Sequence, residues 1–279
     1  MSMPNPELSI VIVSHNARAD LEACLDSLAA HPPAARHEVV VVDNASTDGS
    51  ADAAEARAPR VRVIRQASNL GFSAANNIGI RGTSGELILL LNSDTVVPAG
   101  ALDTLMLRLR SWPSAAAAGP RLVDGSGKVE MSFGRMISPF AELKQRTVMT
   151  LHARNAGPVS RWVERVTARE QPVDWVSGAA LLVYRRDAEA VGLLDERFFL
   201  YTEDVDFCAA LRASGRQILF TPAAEITHLR GRSRATAPRM MNAAYRRSQL
   251  AFYAKHHPRW VPVLRLYLRL KGELPTETR

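Results

Sequence analysis

Apolar positions in the first hundred residues fall into short runs bounded by polar clusters. Leu8-Ser-Ile-Val-Ile-Val-Ser14 is largely β-branched, the pattern of a strand buried on both faces. Leu21, Cys24, Leu25 and Leu28 then recur at helical spacing. Glu38-Val-Val-Val-Val-Asp43 predicts a second strand ending on an acid. Val61–Ile64 predicts a third and Glu86–Leu91 a fourth, with helical stretches between them. Such alternation marks a mainly parallel sheet covered on both faces. Ligands of such sheets bind beyond the carboxyl ends of the strands. The polar residues gather at those ends: Ser14-His15-Asn16, Asp43-Asn44-Ala-Ser46-Thr-Asp48, Asn69-Leu-Gly71 and Asn92-Ser93-Asp94.

From about Val123 to Pro172 the periodicity weakens. Glu142–Leu151 predicts a helix, and Arg161–Arg169 is basic and polar, with Trp162 and Val166 on one face. A variable acceptor-side insertion over 123–172 has this pattern, as does a plain surface loop. Trp175-Val-Ser-Gly178-Ala-Ala-Leu-Leu-Val-Tyr184 returns to the core, with Gly178 allowing close backbone approach. Arg197–Cys208 places the pair Glu203-Asp204, then Asp206, between an aromatic run and a short helix that stops at Gly215. Acids at a helix start also oppose the helix dipole, so the pair alone does not define a site.

Net charge is +7, and it is unevenly placed: His228 to Arg279 carries 12 Lys and Arg against 2 Asp and Glu, the preceding chain 23 against 26. A basic tail on a near-neutral body predicts an anionic partner. Trp260-Val-Pro-Val-Leu-Arg-Leu-Tyr-Leu-Arg-Leu-Lys271 suits a helix lying in a membrane interface, and equally one docked on the domain. His256 and His257 read as surface residues. Met1 to Glu7 shows neither a basic segment nor an apolar one, so no signal peptide is expected, and no apolar run is long enough to span a bilayer. Cys24 and Cys208 sit in helical apolar patterns and read as free buried thiols of a reducing cytosol.

The turn after the first strand, Ser14-His15-Asn16-Ala17-Arg18, contains no glycine, which argues against a dinucleotide-binding enzyme. No P-loop is present, nor the Gly- and Arg-rich phosphate loop of a sugar-nucleotide pyrophosphorylase. Asp43, fixed at a strand end, is suited to accept the imide N–H of uracil or thymine, or to cap the next helix. Asp94, delivered by a hydrophobic strand into a loop, is suited to a hard divalent cation whose other positions go to phosphate oxygens and water, or to a capping role.

Taken in order, these segments, with His228-Leu-Arg-Gly-Arg-Ser233, resemble bacterial family 2 glycosyltransferases of the GT-A fold, most of all the rhamnosyltransferase-type members. The resemblance spans roughly residues 8–233. It implies an α/β fold, a mixed, mainly parallel sheet flanked by helices. On it, residues 1–233 form the transferase domain and 234–279 a basic, helical C-terminal extension. It implies inverting transfer from a dTDP- or UDP-sugar in cell-surface polysaccharide synthesis. Ser14, Asn16, Asp43, Asn69, Gly71 and Asn77 would line the nucleotide pocket. Asn92, Ser93 and Asp94 occupy the place of the D-x-D motif, with its first carboxylate replaced. Asp94 and His228 would hold Mg²⁺ or Mn²⁺, and Arg230, Arg232 and Ser233 would close over the diphosphate. Asp204 matches the catalytic base, with Glu203 beside it. Neighbouring Glu203 and Asp206 are expected to raise its proton affinity. The implied partners are a nucleotide-sugar donor, a saccharide or lipid-linked acceptor and a peripheral contact with the inner face of the cell membrane, with no nucleic acid. Oligomeric state is not fixed by the sequence, a dimer included. The rival reading is a catalytically silent nucleotide-sugar-binding or scaffold protein of the same fold.

Overall fold

In the computed structural model, which describes residues 5–229 and 238–275, the N-terminal half follows the predicted alternation. β1 (Leu8–Ser14), α1 (Arg18–Ala30), β2 (His37–Asp43), α2 (Ser50–Glu55), β3 (Val61–Arg65), α3 (Phe72–Arg81) and β4 (Leu87–Asn92) come in that order. β1 lies between β2 and β4, parallel to both, and β3 continues the sheet beyond β2. Side chains alternate between the faces as a pleated strand requires. Leu8, Ile10 and Ile12 join Leu21, Cys24, Leu25 and Leu28 of α1 on one side. Val11 and Val13 point to the other. There α3 packs so closely that a Cβ on Gly79 would lie 2.3 Å from Val11 Cγ1.

The second half is less regular. β5 (Thr95–Val96), α4 (Ala101–Arg110), β6 (Ala115–Val123), β7 (Phe133–Gly134), α5 (Pro139–Ala153) and α6 (Gly157–Thr167) precede β8 (Gln171–Val173), β9 (Trp175–Val176) and β10 (Ala180–Tyr184). Then come α7 (Arg185–Ala190), α8 (Glu203–Ala213) and β11 (Gln217–His228). The main sheet runs β3-β2-β1-β4-β10-β6-β11-β5, with β8 paired to β11, while β7 and β9 form a separate ribbon. β10 enters antiparallel between β4 and β6, so its first residues lie beside the carboxyl end of β4.

The 123–172 segment holds the short strand β7 and two helices, α5 and α6. Ser138 caps α5 by accepting the Ala141 N–H (3.3 Å), with Pro139 at the first position. The buried face of α6 is Val163 and Thr167, with Val166 partly covered; Trp162 is 41% exposed, so the expected Trp162–Val166 face is displaced by one residue. After α9 (Pro238–His256) a short 3₁₀ turn leads into α10 (Val261–Leu270). Phe252 and Tyr253 of α9 and Leu264 and Leu268 of α10 share one core cluster with Val11, Leu90 and Phe207. The C-terminal helices thus complete one face of the main sheet. Cys24 and Cys208 are free and buried in different clusters, and burial pushes both thiols up to about 12. No described helix is long and apolar enough to cross a membrane.

Candidate active site

Register puts Ser14 beside Asp43 and Val13 beside Asn92, so three strands end together. At this edge Ser14 Oγ, Asp43 Oδ1 and Asn92 Oδ1 are buried without a hydrogen-bond partner among the described residues. Buried polar atoms are ordinarily paired, and three unpaired ones on adjacent strand ends mark a place built for a polar ligand. Asp43 is 3% exposed, and its other oxygen accepts the Ser46 N–H at 3.1 Å. Asn16 (φ +50) ties the first loop to the second: its Oδ1 accepts the Thr47 N–H at 2.8 Å, and its N–H donates to Ser46 Oγ at 3.0 Å. His15 is held by the Asn44 carbonyl, 2.8 Å from its Nδ1.

Asn69, Gly71 and Asn77 organise the backbone around this edge. Asn69 Oδ1 accepts from Asn44 Nδ2 (2.9 Å) and the Gly71 N–H (3.0 Å). Gly71 has φ +86 and ψ 171, a region essentially reserved for glycine, and a Cβ there would lie 2.6 Å from Phe199. Asn77 departs from the expected pocket lining. It is 1% exposed, and its carboxamide donates to the Leu194 carbonyl and Glu196 and accepts the Leu194 N–H. With Ser73, which donates to the Phe198 carbonyl, it anchors the loop that leads into α8.

That loop ends in two consecutive left-handed residues, Tyr201 (φ +71) and Thr202 (φ +63). For a β-branched threonine this is strained backbone, of the kind held in place only where its surroundings demand it. The turn delivers Asp204 to the first turn of α8. Its Oδ2 accepts the Gly178 N–H and its Oδ1 the Val205 N–H, both at 2.8 Å. Asp204 is half-buried; burial raises its pKa, opposed by these amide donors. Glu203 is buried, and burial, then the Asp204 charge, hold its carboxyl well above the usual range. The expectation for Asp206 is corrected. Its carboxylate is paired with Lys255 Nζ (2.8 Å) and hydrogen-bonded to His256 Nε2 (2.6 Å) of α9, and burial takes its place in raising Asp204. Neither histidine is therefore a surface spectator, since His257 is fixed by the Ile137 carbonyl at 2.7 Å.

Asp94 and His228 come together because β5 pairs with β11, setting Thr95 opposite His228. Asp94 Oδ1 lies 3.3 Å from His228 Nε2. On the far side of the ring Glu130 Oε2 is 3.2 Å from Nδ1. Glu130 is buried at 8% exposure and was not expected from the sequence. Burial disfavours a charged His228, but the hydrogen bonds and charges of Asp94 and Glu130 prevail and raise its pKa to about 9. This donor set fits a hard divalent cation: one carboxylate oxygen, one imidazole nitrogen, and a carboxylate behind the ring that fixes Nε2 as the ligating atom. Among the described residues no group of three or more His, Cys, Asp or Glu forms a metal cage. Ser93 is half-buried between Asn92 and Asp94. The Asn92 N–H donates to the Ala179 carbonyl at 2.9 Å, next to the amide that holds Asp204. The Asp94–His228 pair and the carboxylate base candidate therefore share one edge. Arg230, Arg232 and Ser233 lie outside the described residues.

Solved structures with this architecture are GT-A glycosyltransferases. The mannosyltransferase PcManGT from Pyrobaculum calidifontis, in complex with GDP-Man and Mn²⁺, superposes with a TM-score of 0.62 at 18% identity, covering 94% of this chain and 69% of that one. S. aureus TarS 1-349 in complex with UDP gives 0.57 at 17% identity, covering 88% and 65%. The family-wide pattern described as glycosyl transferase family 2 matches residues 9–165. Over 266 residues the chain is 34% identical to the N-acetylglucosaminyl-diphospho-decaprenol L-rhamnosyltransferase of Mycobacterium tuberculosis, covering 91% of this chain and 86% of that protein. The chain belongs to glycosyltransferase family 2 and has the GT-A fold.

Since Gly71 is both left-handed and overhung by Phe199, Gly71→Ala is expected to cost about 1–3 kcal/mol of folding stability from the backbone alone. Urea denaturation reads this, and an unchanged midpoint would contradict the role given to Gly71.

Proposed function

We propose that the protein is an inverting glycosyltransferase that moves a sugar, rhamnose in the first instance, from a dTDP- or UDP-sugar to a hydroxyl of a lipid-linked saccharide in cell-surface polysaccharide synthesis. The observation that carries this reading is Asp204, half-buried and fixed by two amides, on the same strand-end edge as the Asp94–His228 pair. The rhamnosyl and lipid-linked parts are supported by the name of the mycobacterial relative.

In the proposed reaction the pyrimidine sits at the ends of β1 and β2, its imide N–H donating to Asp43 Oδ1, the unpartnered oxygen. Ser14 Oγ and Asn92 Oδ1 offer further polar contacts at the same edge. Asp94 and His228 would hold the divalent cation, with Glu130 keeping the His228 ring oriented. A bound cation would supply positive charge to the diphosphate as it leaves. A sugar hydroxyl is a poor nucleophile at neutral pH, so Asp204 takes its proton as the hydroxyl oxygen bonds to the anomeric carbon. The bond from that carbon to the diphosphate oxygen breaks on the opposite face, which inverts the centre. Arg230, Arg232 and Ser233 are assigned to the diphosphate by resemblance.

Asp204→Asn should fold normally and lower kcat by about 10²–10⁴-fold, as loss of a positioned base does. In the unmodified enzyme, activity should fall on the acid side through a pKa above the ordinary carboxylate range. The ionised form is the active one, and burial raises the pH at which it forms. Near-normal transfer by Asp204→Asn would remove the base assignment and move it to Glu203. Glu130→Leu should weaken Mn²⁺ binding by about 10–100-fold, and Glu130→Gln, which keeps an acceptor, by less. Electron paramagnetic resonance of free Mn²⁺ during titration measures both, and wild-type affinity in the Leu variant would contradict the ring-orienting role.

A further inference from the structure

α10 carries two apolar stripes. Val261, Leu264 and Leu268 face inward onto the cluster beneath the sheet. Val263, Leu266, Tyr267 and Leu270, at helical spacing i, i+3, i+4 and i+7, face outward, with Leu270 80% exposed. In the turn before the helix, exposed Trp260 meets Phe140 of α5 edge-on, ring centroids 6.4 Å apart. Phe140 is 77% exposed, and Leu143, one turn further along α5, is also exposed. One inward stripe suffices to dock a terminal helix. A second, contiguous with aromatic residues of a neighbouring helix, has no partner within the described chain, and isolated surface apolar residues do not account for it.

The C-terminal side of this face is basic, and Glu142, between Phe140 and Leu143 on α5, is engaged by Tyr245, Gln249 and Tyr253. Between Pro238 and Gly272 there is no Asp or Glu, while Arg259, Arg269 and Lys271 of the same stretch are exposed. Lys271 Nζ stands 5.1 Å from the Tyr267 ring centroid, so cation and aromatic share the rim. We propose that this face, Phe140 and Leu143 with Trp260 and the outer stripe of α10, docks the protein on a bilayer surface containing anionic phospholipid. Apolar side chains enter the headgroup boundary, Trp260 and Tyr267 sit where one end of a ring is wet, and the basic residues meet lipid phosphates. A second copy of the chain fits less well, because a two-fold interface through this stripe would bring the same basic residues of the two copies together. The proposal stands on exposure and charge, independently of the transfer reaction.

The test is flotation of the full chain with vesicles of phosphatidylcholine and phosphatidylglycerol and with vesicles of phosphatidylcholine alone, alongside the double variant Leu266→Glu, Leu270→Glu. Both positions are exposed, so the variant should fold with unchanged thermal stability and unchanged turnover of donor in solution. The full chain is expected to float with the anionic vesicles, less so at high salt, and the double variant about tenfold less. Failure to float with anionic vesicles, or equal flotation of the double variant, overturns the proposal. So does equal flotation with both vesicle types. A dimer in solution that the double variant dissociates, without vesicle binding, would assign the face to a second copy instead.

Discussion

The hydrogen bond from the Gly178 amide to Asp204 joins the two halves of the site. β10 begins beside the carboxyl end of β4 because it runs antiparallel to it. Two neighbouring residues at that start serve both sides: the amide of Gly178 holds Asp204, and the carbonyl of Ala179 receives the Asn92 N–H. The carboxylate is thereby placed relative to the Asn92-Ser93-Asp94 turn through main chain rather than through flexible side chains. A Cβ at position 178 would stand 3.3 Å from that of Asp204, tight enough that the approach favours glycine. In the proposed reaction such main-chain placement would matter, because precise positioning of reacting groups is worth many kilocalories to a displacement.

What keeps Asp204 there is a second layer of restraint. Tyr201 and Thr202 are left-handed, a conformation that costs free energy at each residue. Contacts on both sides offset that cost. Asn77, Ser73 and the Phe72 N–H grip the 194–199 loop from α3, and Gly71 makes room for Phe199. From the other side Lys255 and His256 of α9 hold Asp206. The C-terminal helices therefore support α8 as well as presenting an outer face to solvent.

β1, β2 and β4 were legible because each is largely buried on both faces and reads as a nearly continuous apolar run, as in Leu8–Ser14 and Glu38–Asp43, while β3 at the sheet edge is only partly buried. Their polar ends were legible for the same reason, since only there can such strands carry Ser14, Asp43 or Asn92. The direction of β10 was not legible, because Ala180–Tyr184 has the same apolar pattern whichever way it runs. Asp204 and His228 stood out through motif order, not through local pattern. Glu130 left no such trace: it lies in weakly periodic sequence and reaches His228 because its own N–H folds back onto the Leu122 carbonyl. Asn77 and Asp206 were misjudged for a related reason. Both are polar and close in sequence to site residues, but their partners, Leu194 and Lys255, are 117 and 49 positions away.

The account depends on Asp43, Asp94, His228 and Asp204 facing one ligand. A crystal structure with Mn²⁺ and the nucleoside diphosphate tests this most directly. The pyrimidine should lie against Asp43, the cation should bridge Asp94 and His228 to the diphosphate, and Asp204 should face the vacant sugar position. A nucleotide bound away from the ends of β1, β2 and β4, or a cation that touches neither Asp94 nor His228, would contradict it.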